Sequence, residues 1–191
     1  MGTRNSTIVV QDGLMEVAQY GQWDGYPSNA GVGIVKFLQE TDINKFKEAV
    51  SNCTGFTDAE IDKGVTIADH PHLSRNHGYD ILELITDANG LKLHRDTRFV
   101  ADSLFCEWAY VIDLDKNKLE VYSGFNTKEL PKNARFKNLE HLRDGEYYPV
   151  KKVCEFKLDE LPTTKEEIEL FAEEKFRKVK KTIKDRITVE L

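Results

Sequence analysis

Two runs of alternating apolar residues, each interrupted by a turn signal, predict two β-hairpins. Residues 7–11 are β-branched and apolar and lead into Asp12-Gly13, a dipeptide that fits a two-residue turn, and a return strand follows over 14–20. Residues 104–114 and 119–123 predict the second hairpin. In its first strand, one face is predicted to carry Cys106, Trp108, Tyr110, Ile112 and Leu114, and the other Phe105, Glu107, Ala109, Val111 and Asp113. Both faces are apolar around the centre, so we expect this strand in the interior of a sheet.

Two further segments have strand-like patterns. Residues 147–158 alternate regularly, and Pro149 near their start favours an edge or strand-entry position, because proline cannot donate to a ladder. Residues 91–99 alternate apolar and basic positions and predict a strand with a basic face. The expected sheet is antiparallel and is built from two hairpins plus a further strand.

Elsewhere the apolar residues recur every three or four positions, which indicates amphipathic helices. The predicted helices cover 32–40, begin after Thr41 or Asp42, begin at the capping box Thr57-Asp58-Ala59-Glu60, and run from Ser74 or Asn76 to a left-handed cap at Asn89-Gly90. Residues 161–191 predict a C-terminal amphipathic helix with its acids early and its bases late, as the helix dipole prefers. We therefore expect an α+β fold with a core domain over 1–160 and the helix 161–191 packed on it.

Composition and charge narrow the classes of function. The 191 residues carry a net charge of −6, which argues against sequence-independent nucleic-acid binding through a broadly basic surface. The three cysteines, Cys53, Cys106 and Cys154, form neither a disulfide framework nor a zinc pattern and suit a reducing compartment. No apolar run approaches a membrane span and no secretory leader is recognisable, so we expect a cytoplasmic protein without membrane contact. No cofactor motif occurs, and no cofactor is expected.

Residues 20–33, which we call the aromatic loop, form the segment with the strongest indication of a binding site. Tyr20, Trp23 and Tyr26 could stack on a planar group, and Asp24 could accept its hydrogen bonds. The glycines and the proline of this loop allow backbone conformations that other residues would strain to adopt. The alternative is a turn whose aromatic rings close the end of the hydrophobic core.

Three residues outside the first part of this loop complete the candidate ligand-binding set. The helix predicted to begin at Gly33 would point backbone N–H groups at the loop and could hold an anion, and Arg75 could act as an anion fork. Glu107 neighbours aromatic residues on the central strand and is a further candidate. Its alternative role is an ion pair with Arg95 or Arg98 across the sheet.

Three histidines and an aspartate lie within nine residues, in the segment Asp69-His70-Pro71-His72-Leu73-Ser74-Arg75-Asn76-His77. Imidazole and carboxylate groups can bind zinc, iron or manganese. The spacing of His70, His72 and His77 follows no established ligand motif, so we interpret the segment as a solvated loop that caps the next helix.

Three stretches resemble a family of uncharacterised proteins encoded by bacteriophages and their hosts. They are Gly2-Thr3-Arg4, the segment from Val17 to Ser28 with its Tyr20-Gly21-Gln22-Trp23-Asp24-Gly25-Tyr26-Pro27-Ser28 motif, and Phe105-Cys106-Glu107-Trp108-Ala109-Tyr110-Val111-Ile112-Asp113-Leu114. The family more usually has glycine just after Pro-Ser, where this chain has Asn29 and Ala30. The resemblance implies no established activity. Its phage setting implies a host nucleotide signal or a host defence protein as the ligand or partner.

The resulting hypothesis is a non-catalytic binding module of phage type that uses the aromatic loop to bind a small nucleotide-like ligand or a host protein. One alternative is an enzyme, because the order of elements is loosely similar to the sandwich of N-terminal-nucleophile hydrolases. Removal of Met1 would leave Gly2, which carries no nucleophile, so that activity would require processing to Thr3. Another alternative is an acidic protein-interaction surface.

Overall fold

A five-stranded sheet organises the chain, with helices on one face and loops on the other, in a computed structural model that describes residues 2–139 and 146–161. The strands are β1 (Asn5–Gln11), β2 (Leu14–Gly21), β5 (Trp108–Asp113), β6 (Lys118–Ser123) and β7 (Lys151–Lys157), with β3 (Thr54–Gly55) and β4 (Lys92–Leu93) forming a separate two-stranded sheet. The α-helices are α1 (Val32–Glu40), α2 (Ile43–Ser51), α3 (Asp58–Asp62) and α4 (Ile81–Ala88). No described helix is long and apolar enough to cross a membrane.

The order of strands in the large sheet is β2-β1-β5-β6-β7. The antiparallel pairs β1/β2 and β5/β6 are the two expected hairpins, and β7 is the expected further strand, so the α+β prediction is confirmed. β1 and β5 pair in parallel, which makes the sheet mixed rather than wholly antiparallel. β2 returns the chain to the end of the sheet at which β1 begins, and after the segment that carries α1 to α4, β5 enters from that same end, so β1 and β5 run parallel.

Alternation along the central strand separates the two faces of the sheet. Trp108 and Tyr110 pack into the cluster beneath the helices, whereas Ala109 and Val111 pack against the loops. This division was expected from the sequence. Cys106 was expected beside Trp108 and instead lies in the loop-side cluster, because the regular strand begins only at Trp108.

Helix caps follow the short-range signals in the sequence. Asp42 caps α2 by accepting from the backbone N–H groups of Asn44 and Lys45. Thr57 and Glu60 form the reciprocal capping box of α3. α4 ends at Asn89 in the left-handed conformation, with φ of 52°. All three caps were predicted.

Three expectations about the fold require correction. The helix predicted to run from Ser74 or Asn76 begins as α4 at Ile81, after a short 3₁₀ turn over Gly78–Asp80. The strand predicted over 91–99 is limited to Lys92–Leu93, because the chain then turns to cover the edge of β2. The likeness to N-terminal-nucleophile hydrolases is not confirmed, since loops cover the second face of the large sheet in the described part of the chain. The predicted helix 161–191 lies outside the described residues except for Leu161.

A buried ion cluster ties the loop that follows β6 to the sheet. Arg135 donates to Asp113, and its Nε lies 2.7 Å from Oε2 of Glu120. Tyr122 donates to the same Glu120 oxygen at 2.9 Å, and Nζ of Lys152 lies 3.4 Å from the other. Burial alone would raise the pKa of Asp113, but the Arg135 hydrogen bond and the surrounding positive charge hold it below its ordinary value.

The two hairpin turns are joined at one end of the sheet. The carboxylate of Asp115 accepts from the backbone N–H of Asp12 at 2.8 Å and from that of Gly13 at 2.9 Å. Both N–H groups belong to the turn between β1 and β2, whereas Asp115 lies in the turn between β5 and β6. We call this the turn end of the sheet.

Candidate functional site

The opposite end of the sheet, which we call the loop end, carries most of the predicted site residues. Its last paired row runs across the five strands through Gly21, Asn5, Trp108, Ser123 and Lys151. The aromatic loop leaves β2 directly after this row. The segments that enter β1 and β5 arrive beside it, because those strands run parallel.

The buried side chain of Asn5 anchors the aromatic loop. Its Nδ2 donates to the carbonyl of Trp23 at 3.2 Å and to that of Gly21 at 3.5 Å. Gly25 donates from its backbone N–H to Thr3 at 3.0 Å, and its carbonyl accepts from the buried Tyr110 hydroxyl at 2.8 Å. Four bonds to the strand region therefore fix the backbone of the loop.

This anchoring leaves the loop's polar and aromatic side chains at the surface. Trp23 is 51% exposed and Tyr26 is 45% exposed, and Asp24 is also exposed. The indole Nε1 of Trp23 donates to Asn76 at 3.0 Å. Asp24 itself adopts a left-handed backbone with φ of 53°. These three side chains form an accessible surface and do not close the core.

A cleft of about 240 Å³, which we call the edge cleft, lies beside the loop along the outer edge of β2, the edge that pairs with no other strand of the large sheet. Its lining residues come from β2, from the segment before α4 and from the segment after β4: Gln19, Tyr20, Leu73, Arg75, His94 and Asp96. It brings together two of the predicted ligand-binding residues, Tyr20 and Arg75. Sequence patterns did not identify His94 or Asp96 as site residues, because both lie in irregular backbone without a motif.

The walls of the edge cleft are the segments that cover the outer edge of β2. The backbone N–H of Asp96 donates to Ala18 at 3.0 Å, and the N–H of Gln22 donates to the carbonyl of Arg75 at 2.9 Å. Gln19 Nε2 bridges the carbonyls of Tyr20, at 3.0 Å, and Ser74, at 3.3 Å. Covering an edge in this way removes a template for unwanted strand pairing.

Tyr20 is held on the side of the cleft that faces the loop. Its ring meets Phe99 edge to face with centroids 4.9 Å apart, and its hydroxyl donates to Gln22 Oε1 at 2.5 Å. Burial raises the pKa of Tyr20, while the positive charges of Arg4 and Arg75 oppose the rise. Tyr20 is therefore a neutral, oriented phenol next to a cationic side chain.

Gly33 lies away from the edge cleft and inside a helix. A π-helical turn over Pro27–Gly31 precedes α1, so the helical backbone begins before the position that the sequence suggested. A Cβ at Gly33 would lie 2.4 Å from the ring of Tyr79. The glycine thus permits close packing of that ring on the helix, and the N–H groups at the helix start belong to residues near Pro27.

Glu107 lies at the loop end but is not part of the cleft lining. It accepts from the backbone N–H of Arg4 at 3.3 Å and lies 3.7 Å from that residue's Nε. The alternative pairing with Arg95 is wrong, since Arg95 bonds Glu16 at 2.5 Å. The Arg4 guanidinium also lies 4.5 Å from the centre of the Phe105 ring.

The histidines of the segment before α4 are engaged with the backbone. Nε2 of His72 is 2.7 Å from the carbonyl of Lys92, and Nε2 of His77 is 3.1 Å from that of Pro71. The ring of His70 packs edge to face against Phe56. Within residues 2–139 and 146–161, no three His, Cys, Asp or Glu side chains are grouped to hold a metal ion.

The position of Thr3 bears on the hydrolase alternative. Thr3 is buried and its carbonyl holds Gly25 in the aromatic loop. The preceding Gly2 packs so closely on Trp23 that a Cβ there would lie 2.3 Å from the indole. Processing to expose Thr3 would therefore remove a residue that supports the loop.

No family model, curated protein or solved structure matches the chain in comparisons with known proteins. The resemblance of its motifs to the phage-type family remains a prediction.

Proposed function

We propose that this protein is a non-catalytic binding module that takes a small nucleotide-like ligand in the edge cleft. The observation that supports the proposal most directly is the meeting of Tyr20 and Arg75 in one cleft beside the exposed aromatic loop. An arginine offers a planar fork of donors for phosphate, and aromatic side chains offer flat apolar surface for a base. Both requirements of a nucleotide are met within one region.

The dimensions and lining of the cleft define the ligand further. Drug-sized ligands occupy pockets of about 300–1,000 Å³. A cleft of about 240 Å³ holds part of a mononucleotide, and the rest would extend over the neighbouring loop towards Trp23. The described lining residues include no serine, threonine, cysteine or lysine, and the side chains of Asp96 and Tyr20 already bond Phe99 and Gln22. The proposal is therefore binding without catalysis.

Titration calorimetry with AMP, adenosine and inorganic phosphate tests the proposal. We expect AMP to bind more tightly than adenosine, and Arg75→Gln to weaken AMP binding by about tenfold or more, as expected for loss of a charged hydrogen bond. Arg98→Gln is the matched control, because Arg98 is also exposed but does not line the cleft. Equal binding by both variants, or no binding of any nucleotide, would refute the proposal.

A protein partner is the second candidate, and the conformation of Phe125 favours it. Phe125 is 58% exposed and has a left-handed backbone with φ of 52°, which is unfavourable for a bulky side chain. Two hydrogen bonds fix the backbone of this loop, because Ser103 accepts from the N–H of Phe125 at 2.7 Å and from that of Asn126 at 3.0 Å. Strain that persists in a fixed loop is a feature of functional sites.

Phe125 lies just beyond the same loop-end row as the exposed rings of Trp23 and Phe105. Exposed aromatic residues of this kind are enriched where proteins bind partners. A photo-cross-linker at Phe125, followed by reconstitution with the purified captured protein, tests this candidate. Binding that survives Trp23→Ala combined with Phe125→Ala would exclude the loop end as the docking surface.

A further inference from the structure

We infer that the edge cleft binds the oxyanion of its ligand between the guanidinium of Arg75 and the backbone N–H of Tyr20. The inference rests on the proposed function and specifies it: the ligand class is a small molecule with a phosphate or carboxylate group. The outer edge of β2, between its two covering segments, is then part of the site. The same geometry excludes an added peptide strand.

Strand alternation places the Tyr20 N–H on the outer edge of the sheet. In an antiparallel pair, a residue's N–H and C=O point to the same side, and the side alternates from one residue to the next. The carbonyl of Ala18 and the N–H of Gln22 both point outward, since they bond the covering segments at Asp96 and Arg75. Tyr20 lies midway between them in the same regular register, so its N–H also points outward, at the level of the cleft.

Four of the outward groups around this N–H are bonded to side chains or to the covering segments. Arg95 Nε donates to the carbonyl of Glu16 at 2.7 Å, and Gln19 Nε2 donates to the carbonyl of Tyr20 at 3.0 Å. Together with the bond that Ala18 accepts from Asp96, these contacts use three carbonyls of the edge, those of Glu16, Ala18 and Tyr20, and Gln22 uses its N–H to bond Arg75. The Tyr20 N–H is not among the groups bonded in this way. A ligand therefore meets a backbone donor here.

The donor character of this position selects the ligand chemistry. An oxyanion accepts from both an N–H group and a guanidinium, and hydrogen bonds to charged groups are stronger than neutral ones. Asp96 also faces the cleft, but its Oδ1 caps the following turn by accepting from Phe99 at 3.1 Å. Its negative charge opposes a bulky polyanion and favours a single oxyanion held on the side of Arg75.

The two covering segments leave too little edge for strand addition. An added strand needs donors and acceptors at alternate residues, about 6.6–6.8 Å apart along the edge. The next outward positions on either side of Tyr20 are Ala18 and Gln22, and both are bonded to the covering segments. A peptide would have to displace one of them, whereas a small oxyanion would not.

Amide hydrogen exchange measured by NMR tests the inference directly. On saturation with AMP, we expect exchange at the Tyr20 N–H to slow by about tenfold or more, because the amide gains a charged acceptor. The N–H of Gln22 is the internal control, since the carbonyl of Arg75 already accepts from it and AMP should leave its exchange unchanged. The four probes are AMP, adenosine, inorganic phosphate and, as the carboxylate, acetate.

A pair of variants isolates the same donor in affinity measurements. Tyr20→Ala removes the ring and keeps the N–H, whereas Tyr20→Pro removes both. Because this N–H faces outward, proline removes no bond of the β1–β2 ladder. We expect Tyr20→Pro to bind AMP at least about tenfold more weakly than Tyr20→Ala. Thermal melts check that both variants fold, and the exchange experiment on the unaltered protein remains decisive if proline disrupts the strand.

The outcomes separate this inference from the proposed function. If AMP binds at the cleft while exchange at the Tyr20 amide is unchanged, the inference is wrong and the proposed function stands. If no nucleotide binds but inorganic phosphate or acetate protects the Tyr20 amide, the oxyanion site is supported and the nucleotide assignment fails. Binding of an extended hexapeptide that protects the Ala18 and Tyr20 amides together would overturn the inference.

Discussion

Replacing Arg135 with methionine is expected to destabilise the protein strongly. Methionine keeps most of the side-chain length and removes the charge, which leaves two buried carboxylates without their main partner. The Asp113 side chain is 1% exposed and that of Glu120 is 8% exposed. Removing one member of a buried ion pair costs about 3–5 kcal/mol, because the remaining charge stays buried and unpaired.

The structure favours the lower part of this range. Lys116 lies 3.6 Å from Asp113, and Lys152 lies 3.4 Å from Glu120, so each carboxylate keeps a partly exposed cation when Arg135 is removed. We expect a loss of about 3 kcal/mol in the free energy of unfolding. For a protein of this size, that corresponds to a fall of roughly 6–12 °C in Tm.

Urea denaturation followed by circular dichroism, at pH 7 and at pH 3, is the assay. Lys137→Met is the matched control, because Lys137 pairs with the largely exposed Glu129 in the same loop and should contribute no more than about 1 kcal/mol. The Asp113 contribution is full above the unfolded pKa of about 3.9 and is lost as the pH falls through the lower folded pKa. The deficit of Arg135→Met should therefore shrink at pH 3.

Equal losses in Arg135→Met and Lys137→Met would refute this account of the ion cluster. A further variant gives an independent check. Combining Arg135→Met with Asp113→Asn and Glu120→Gln should recover part of the lost stability, because a neutral amide is less costly to bury than an unpaired carboxylate. No recovery would show that the arginine acts through packing alone.

Three further changes test other parts of the structure. Gly33→Ala should destabilise by about 1–3 kcal/mol in chemical denaturation, because the new methyl group meets a tyrosine ring and the gain in helix propensity is only about 1 kcal/mol. Asn5→Ala should accelerate amide exchange throughout the aromatic loop, because two carbonyl anchors are lost. Hydrogen bonds from Lys118 and then Lys152 lower the pKa of Glu155 to about 2, so its contribution to stability should disappear as the pH falls from 4.5 to about 2, and Glu155→Gln should flatten urea stability over that interval.

The elements that the sequence predicted well are those decided by near neighbours. The Asp12-Gly13 turn forms as expected, with positive φ at both residues. The caps at Asp42, Thr57 and Asn89 also form as predicted, because each depends on groups within a few positions along the chain. Alternation within the central strand likewise predicted its two faces.

The elements that the sequence did not predict depend on distant partners. Glu107 bonds Arg4 across 103 positions, and Arg135 bonds Asp113 and Glu120 on two strands from the loop that follows β6. The edge cleft combines Tyr20 and Arg75 with His94 and Asp96, which lie in irregular backbone. No periodicity connects such residues, so their meeting follows from the fold alone.

The carboxylate of Asp115 bonds the neighbouring hairpin at the turn end of the sheet, opposite the end that carries the aromatic loop. The contact that joins the two hairpin turns and the proposed binding surface therefore lie at opposite ends of the sheet. Substitutions at Trp23 or Arg75 leave this contact between the turns in place, so the proposed binding surface can be varied separately from it. An inserted peptide tag in either hairpin turn would break the hydrogen bonds of Asp115 and lower stability, while the residues that line the edge cleft stay unchanged. Variants designed to change binding should therefore be made at the loop end, and the contact between the two hairpin turns should be kept unchanged.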